Sequence, residues 1–218
     1  MNLRRELVVV TTLLVLAAHI FYRLRFISWI NASLSTLVAV LFLYGPTVVL
    51  WIRRRPIDFL DRGWRSHLRS TLIFSITSLL LFPPFFAAAH FWQTGIMGYE
   101  VFAPAGFPRF WTLTFFQVLM VALPEEFYFR GYFQSTIDRL LKKPWRLFGA
   151  NLGWGWIITA AVFAAAHSVV TYRWWHFAIF FPGLVFGYLR ARTGTITAPI
   201  LFHAASNVLI DWFVRCYS

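Results

Sequence analysis

Six side chains in this sequence are of types and spacings that could do chemistry together. Glu125, Glu126 and Arg130 stand in LPEEFYFRGYF, His167 in VFAAAHS, and His203 and Asn207 in APILFHAASN. Each sits in a run that is otherwise apolar or small. Glu126 and Arg130 are four residues apart with the acid first, the favourable order for a salt bridge along one helix face. Glu125 is turned about 100° away from that face, which leaves it the freer carboxylate. A free carboxylate in an apolar pocket suits general base and acid work. To hydrolyse a bond it also needs a partner for the water and a donor for an oxyanion. His167, and the His203 and Asn207 pair at i and i+4, are the candidates.

The elements that must position these groups follow from composition. The chain has 218 residues, of which 59% are hydrophobic, 20% aromatic and only 13% charged. A soluble domain cannot hide that much apolar surface, and the apolar residues come in blocks long enough to cross a bilayer core, which takes roughly 20 helical residues. Seven blocks can be drawn: 7–22, 26–52, 68–92, 110–133, 151–172, 174–190 and 196–214. The first and sixth are short, so the count is six to eight. The expected fold is all-α, a polytopic membrane bundle of about seven transmembrane helices. It forms one domain over residues 1–218, with catalytic core helices over 110–210. The first block resembles a signal peptide, but Arg23 and Arg25 follow it and no small-x-small cleavage site is present, so a retained helix is expected.

A net charge of +12 would suit a nucleic-acid binder, but its distribution argues against one. With the N-terminus inside, 14 of the 20 Lys and Arg fall in cytoplasmic segments and five outside, with Arg130 left within a span. That bias encodes membrane topology. The expected partners are a lipid bilayer and a membrane-anchored substrate, with no nucleic acid. The expected location is the bacterial inner membrane, as an integral membrane protein with a cytoplasmic N-terminus. The single cysteine, Cys216, excludes an internal disulfide and a cysteine-based metal cluster.

Between the blocks, RRRPIDFLDRGWRSHLR reads as a basic connection and STIDRLLKKPWRLFG as an amphipathic interfacial helix. QTGIMGYEVFAPAGFPRF reads as an outer loop whose one acid is Glu100. Pro83 and Pro84 should bend or break the third helix. Gly183 and Gly187 should let a neighbouring helix come close. His19, His67, His90 and His176 lie near block ends or in loops, where structural roles are expected.

Charge near the centre of a bilayer costs about 2.5–3.5 kcal/mol on insertion scales, so the six groups must face the bundle interior. Two histidines and a glutamate from different helices also make a donor set for a divalent metal such as zinc, namely Glu125, His167 and His203. The His-Glu-x-x-His spacing of soluble zinc proteases is absent. Metal-free hydrolysis is therefore the favoured expectation, with no cofactor.

The motifs resemble those of the CPBP family, the CAAX proteases and bacteriocin-processing enzymes, which includes the type II CAAX prenyl endopeptidases. EEFYFR fits Glu-Glu-x-x-x-Arg, FAAAH fits Phe-x-x-x-His with Phe163 and His167, and HAASN fits His-x-x-x-Asn. The resemblance covers about residues 110–210, and the PEEFYFRGYFQ context is similar to the myxosortase branch. It implies an intramembrane endopeptidase in which Glu125 and His167 activate water while His203 and Asn207 stabilise an oxyanion. Glu126 and Arg130 would hold the constellation in shape. Two other classes fit the same residues, a proton-coupled transporter or relay and a non-catalytic bacteriocin-immunity-type membrane protein.

Overall fold

The computed structural model describes residues 2–99, 101–104 and 106–217, and these are helical almost throughout. Helices α1 (Leu3–Arg23), α2 (Ser28–Ile52) and α3 (Trp64–Phe91) are followed by α4 (residues 110–140), α5 (Trp154–Thr171), α6 (Phe180–Thr193) and α7 (Thr197–Arg215). Five stretches are long and apolar enough to cross a membrane: Leu3–Phe26, Ser28–Ile52, Trp64–Ile96, Trp154–Thr171 and Thr197–Arg215. The 14 residues of α6 span only about 21 Å, short of a hydrocarbon core about 30 Å thick.

The helices alternate in direction, so α1 begins where α2 and α4 end. Polar contacts tie that end together. Buried Glu6 accepts from Arg53 at 2.8 Å and from the Tyr132 hydroxyl at 2.9 Å, and it also pairs with Arg55. Arg139 pairs with Asp58 at 3.1 Å, and Arg190 donates to Ser135 at 3.0 Å. Four of the 14 basic residues assigned to one side by sequence, Arg53, Arg55, Arg139 and Arg190, thus meet at one end of the bundle. The middles of α1 to α3 present Leu13, Val40, Leu72, Leu79 and Leu80 outward, as lipid-facing helices do.

Two local expectations change. STIDRLLKKPWRLFG is not an interfacial helix: Ser135–Leu140 continues α4, and the rest forms an antiparallel hairpin of β1 (Trp145–Leu147) and β2 (Ala150–Leu152). Pro144 blocks helix continuation, and Phe148 and Gly149, with φ of 43° and 78°, make the two-residue left-handed turn that hairpins favour. Pro83 and Pro84 do not break α3, which runs helical through both.

The close approach expected at α6 is present. A Cβ on Gly183 would lie 3.4 Å from Ala160 of α5, and one on Gly187 would lie 2.6 Å from the Trp156 ring.

Candidate active site

The centre of α4 is built around Pro124, which has no N–H to donate and whose ring would crowd the preceding turn of an ordinary α-helix. The chain answers with wide i→i+5 turns over Gln117–Ala122, closed by the Leu123 N–H bonding to the Val118 carbonyl. A short α segment, Leu123–Glu126, follows, and then a second wide stretch, Phe127–Gln134. Such turns are uncommon and recur at functional sites. Every residue from Glu126 to Gln134 is buried.

Within that stretch the expected pair forms. The Arg130 Nη1 donates to Glu126 Oε1 at 3.1 Å with both side chains fully buried. Its Nη2 donates to the Gly183 carbonyl of α6 at 3.0 Å. The guanidinium also lies 4.3 Å from the Phe163 ring centroid and 4.9 Å from that of Phe186. Cation–π contact with two rings offsets part of the cost of burying the charge. Phe186 in turn stacks on His203, with centroids 4.7 Å apart and planes at 14°. One arginine therefore joins α4, α5 and α6, and through Phe186 and Glu126 it reaches α7.

Glu126 Oε1 also meets His203 Nδ1 at 2.9 Å. A carboxylate accepts, so Nδ1 carries the proton and donates. His167 Nδ1 lies 2.9 Å from the Phe163 carbonyl, which likewise only accepts. In the neutral form of both rings, the Nε2 atoms carry lone pairs. Both Nε2 atoms point at the same oxygen, Glu125 Oε2, at 3.6 Å for His167 and 3.9 Å for His203. That oxygen is buried and has no hydrogen bond among the described residues.

The three groups meet because their helices start at different depths. Glu125 lies 15 residues from the end of α4 and His167 lies 13 from the start of α5, about 20 Å of rise in each case. His203 is only about 9 Å into α7, but α7 starts inside the protein. Ile196 just before it is fully buried, and its N–H donates to the Phe59 carbonyl at 3.0 Å. The Phe59 ring fits over Gly131, where a Cβ would come within 2.5 Å of it. The segment between α2 and α3 thus covers a recessed α6–α7 turn.

Asn207 is not in hydrogen-bond contact with this group. Its Nδ2 donates to Gln117 Oε1 at 2.9 Å, one turn along α7 from His203. Sequence reasoning missed Gln117, and also Gln134, whose Nε2 donates to the Gly187 carbonyl at 3.1 Å. Gln117, a lone amide in an apolar helix eight residues before Glu125, was the available signal. A cavity of about 120 Å³ opens beside Glu125 and His167, walled by Ala18, Val38, Phe42 and Val170.

Three of the four remaining histidines have partners outside the six candidate residues: His90 bonds Tyr217, His176 bonds Thr171, and His19 packs on Tyr172. Cys216 is buried, and its Sγ–H donates to the Trp212 carbonyl at 3.3 Å. Glu100 lies outside the described residues. Among the described residues, no group of three or more His, Cys, Asp or Glu is arranged to hold a metal ion.

Residues 107–209 match the sequence model of a family described as type II CAAX prenyl endopeptidase Rce1-like. All six candidate residues lie inside the matched segment. Searches of curated proteins and of solved structures matched nothing.

Proposed function

We propose that the protein hydrolyses a peptide bond of a membrane-anchored protein or C-terminal tail, without a resident metal, a reading supported by the match of residues 107–209 to the type II CAAX prenyl endopeptidase Rce1-like model. The observation that carries this reading is the lone Glu125 oxygen faced by two imidazole Nε2 atoms, at 3.6 and 3.9 Å, in the middle of an apolar bundle.

Glu125 takes a proton from the attacking water and delivers it to the leaving amine as the C–N bond breaks, and His167 orients that water through Nε2. The backbone carbonyl of Phe163 fixes the His167 ring. His203 is held by Glu126, whose carboxylate supports a proton on the ring as negative charge develops, so that Nε2–H can donate to the oxyanion. Asn207 keeps a second Nδ2–H beyond the one given to Gln117, and this supplies a further donor. Arg130 holds Glu126 and so sets the His203 ring. In this reading the basic end of the bundle faces the cytoplasm, following the positive-inside rule.

The test is cleavage by the purified protein in detergent of a panel of membrane-anchored peptides, including prenylated Cys-a-a-X peptides and peptides ending in a sorting tail. Products are read by mass spectrometry. Cleavage that is lost in Glu125→Gln and unaffected by a chelator supports the reading. Loss of cleavage on chelation would replace it with a metalloprotease. No cleavage, with proton-coupled flux in liposomes that Glu125→Gln abolishes, would replace it with a transporter.

A further inference from the structure

A second polar feature lies outside the site. Between α3 and α6, capped by the hairpin, runs an apolar groove of about 580 Å³, lined by Ile76, Leu80, Leu81, Leu184 and Val185, with Arg192 beside it. None of the six candidate site residues lines it. We infer that this groove seats an anionic glycerophospholipid, with an acyl chain along α3 and α6 and the phosphate on the Arg192 guanidinium.

The volume falls within the roughly 300–1,000 Å³ usual for ligand sites. In a bilayer such a groove fills with hydrocarbon, so the question is what fixes the headgroup. Of the other polar side chains around it, Thr77 is uncharged, and Trp156 and Tyr188 are already engaged. The Trp156 indole N–H donates to the Leu184 carbonyl at 2.7 Å, and the Tyr188 hydroxyl donates to the Phe148 carbonyl at 3.3 Å. Arg192 is different: among the described residues its side chain makes no ion pair or hydrogen bond. It stands next to last in α6, at the basic end of the bundle, where lipid phosphates lie. Its guanidinium lies over Gly149 of the hairpin turn, where a Cβ would be 3.2 Å from it. Arg69 donates to the Arg192 backbone carbonyl at 2.9 Å and brings a second cation to the same place. A planar guanidinium binds phosphate in bidentate fashion. Basic pockets between membrane helices at the cytoplasmic side are suited to anionic headgroups. A neutral chain alone would leave this charge without a counter-ion.

The groove connects to the rest of the bundle through α6. Leu184 and Val185 wall the groove, and the adjacent Gly183 carbonyl holds Arg130. An occupied groove therefore supports the helix that the buried arginine depends on.

The experiment is native mass spectrometry of the purified protein with equimolar phosphatidylglycerol and phosphatidylcholine. It does not depend on any catalytic activity. The expected result is a roughly fivefold preference for phosphatidylglycerol, unchanged in Arg5→Gln, an exposed cation on α1. The preference should fall to near parity in Arg192→Gln and be largely restored in Arg192→Lys. Should Arg192→Gln fail to fold, 0.5 M NaCl applied to the unaltered protein should erase the preference. Equal binding of the two lipids, or a preference that survives Arg192→Gln, would overturn the inference. Displacement of the lipid by an uncharged prenol as readily as by phosphatidylglycerol would also overturn it, because the groove would then hold a neutral chain.

Discussion

In α1 to α3 the charged side chains stay at the helix ends and the apolar middles face outward, whereas α4 also carries charge buried at its centre. Glu6 and Asp61 sit at the basic end of the first region, while Leu79 in the middle of α3 is 75% exposed. In the second region Glu126 and Arg130 are fully buried at the centre. The contrast separates two tasks. The first three helices shield the bundle and fasten its basic end, and the last four spend stability to hold charge in the interior.

Substitutions in the two regions should therefore differ in kind. The largest effect on stability is expected for Arg130→Ala, which leaves Glu126 buried and uncompensated. Removing one partner of such a pair costs about 3–5 kcal/mol, measurable by denaturant titration in mixed micelles. An unchanged midpoint would mean that the second region does not depend on its buried charge.

A smaller loss is expected for Glu6→Gln, which weakens the contacts to Arg53, Arg55 and Tyr132. The cost should be about 1–3 kcal/mol, with activity per folded molecule retained because no site residue is touched.

Asp61 gives the first region a pH dependence. Burial raises its carboxyl pKa, but hydrogen bonds from Ser66, Thr197, Thr195 and Ser70 outweigh that and hold it below the ordinary value of 3.8. The folded state therefore favours the ionised form. Its contribution is present above pH 3.8 and is lost as pH falls through the lower folded-state value. Asp61→Asn should remove that acid-dependent part of the unfolding curve. The smallest effect is expected for Leu79→Ala, which should stay within about 0.5 kcal/mol.

Much of the second region was legible in the sequence because its key contact is local. Glu126 and Arg130 meet at i and i+4 even though the turns there are wider than those of an α-helix. The wide turns themselves leave no such mark, since a buried aromatic run such as FYFRGYF has no polar face from which to read a period. The bond from Asn207 to Gln117 joins residues 90 positions apart, and no spacing rule reaches that far. The Phe163 and Phe186 rings around Arg130 read as ordinary core until a buried cation is placed between them. The hairpin was missed because its basic residues imitate an interfacial helix, and only Phe148 and Gly149 at left-handed φ reveal the turn.

The central claim is that Glu125 activates the water while Glu126 does not. The most direct measurement is the single-turnover cleavage rate of Glu125→Gln, together with its unfolding midpoint. The account predicts a rate lower by about 10²–10⁴-fold with the midpoint unchanged, because Glu125 Oε2 has no hydrogen bond to lose. A Glu125→Gln enzyme cleaving within about threefold of the unaltered protein would contradict it, since proton transfer by a positioned group is worth far more than that.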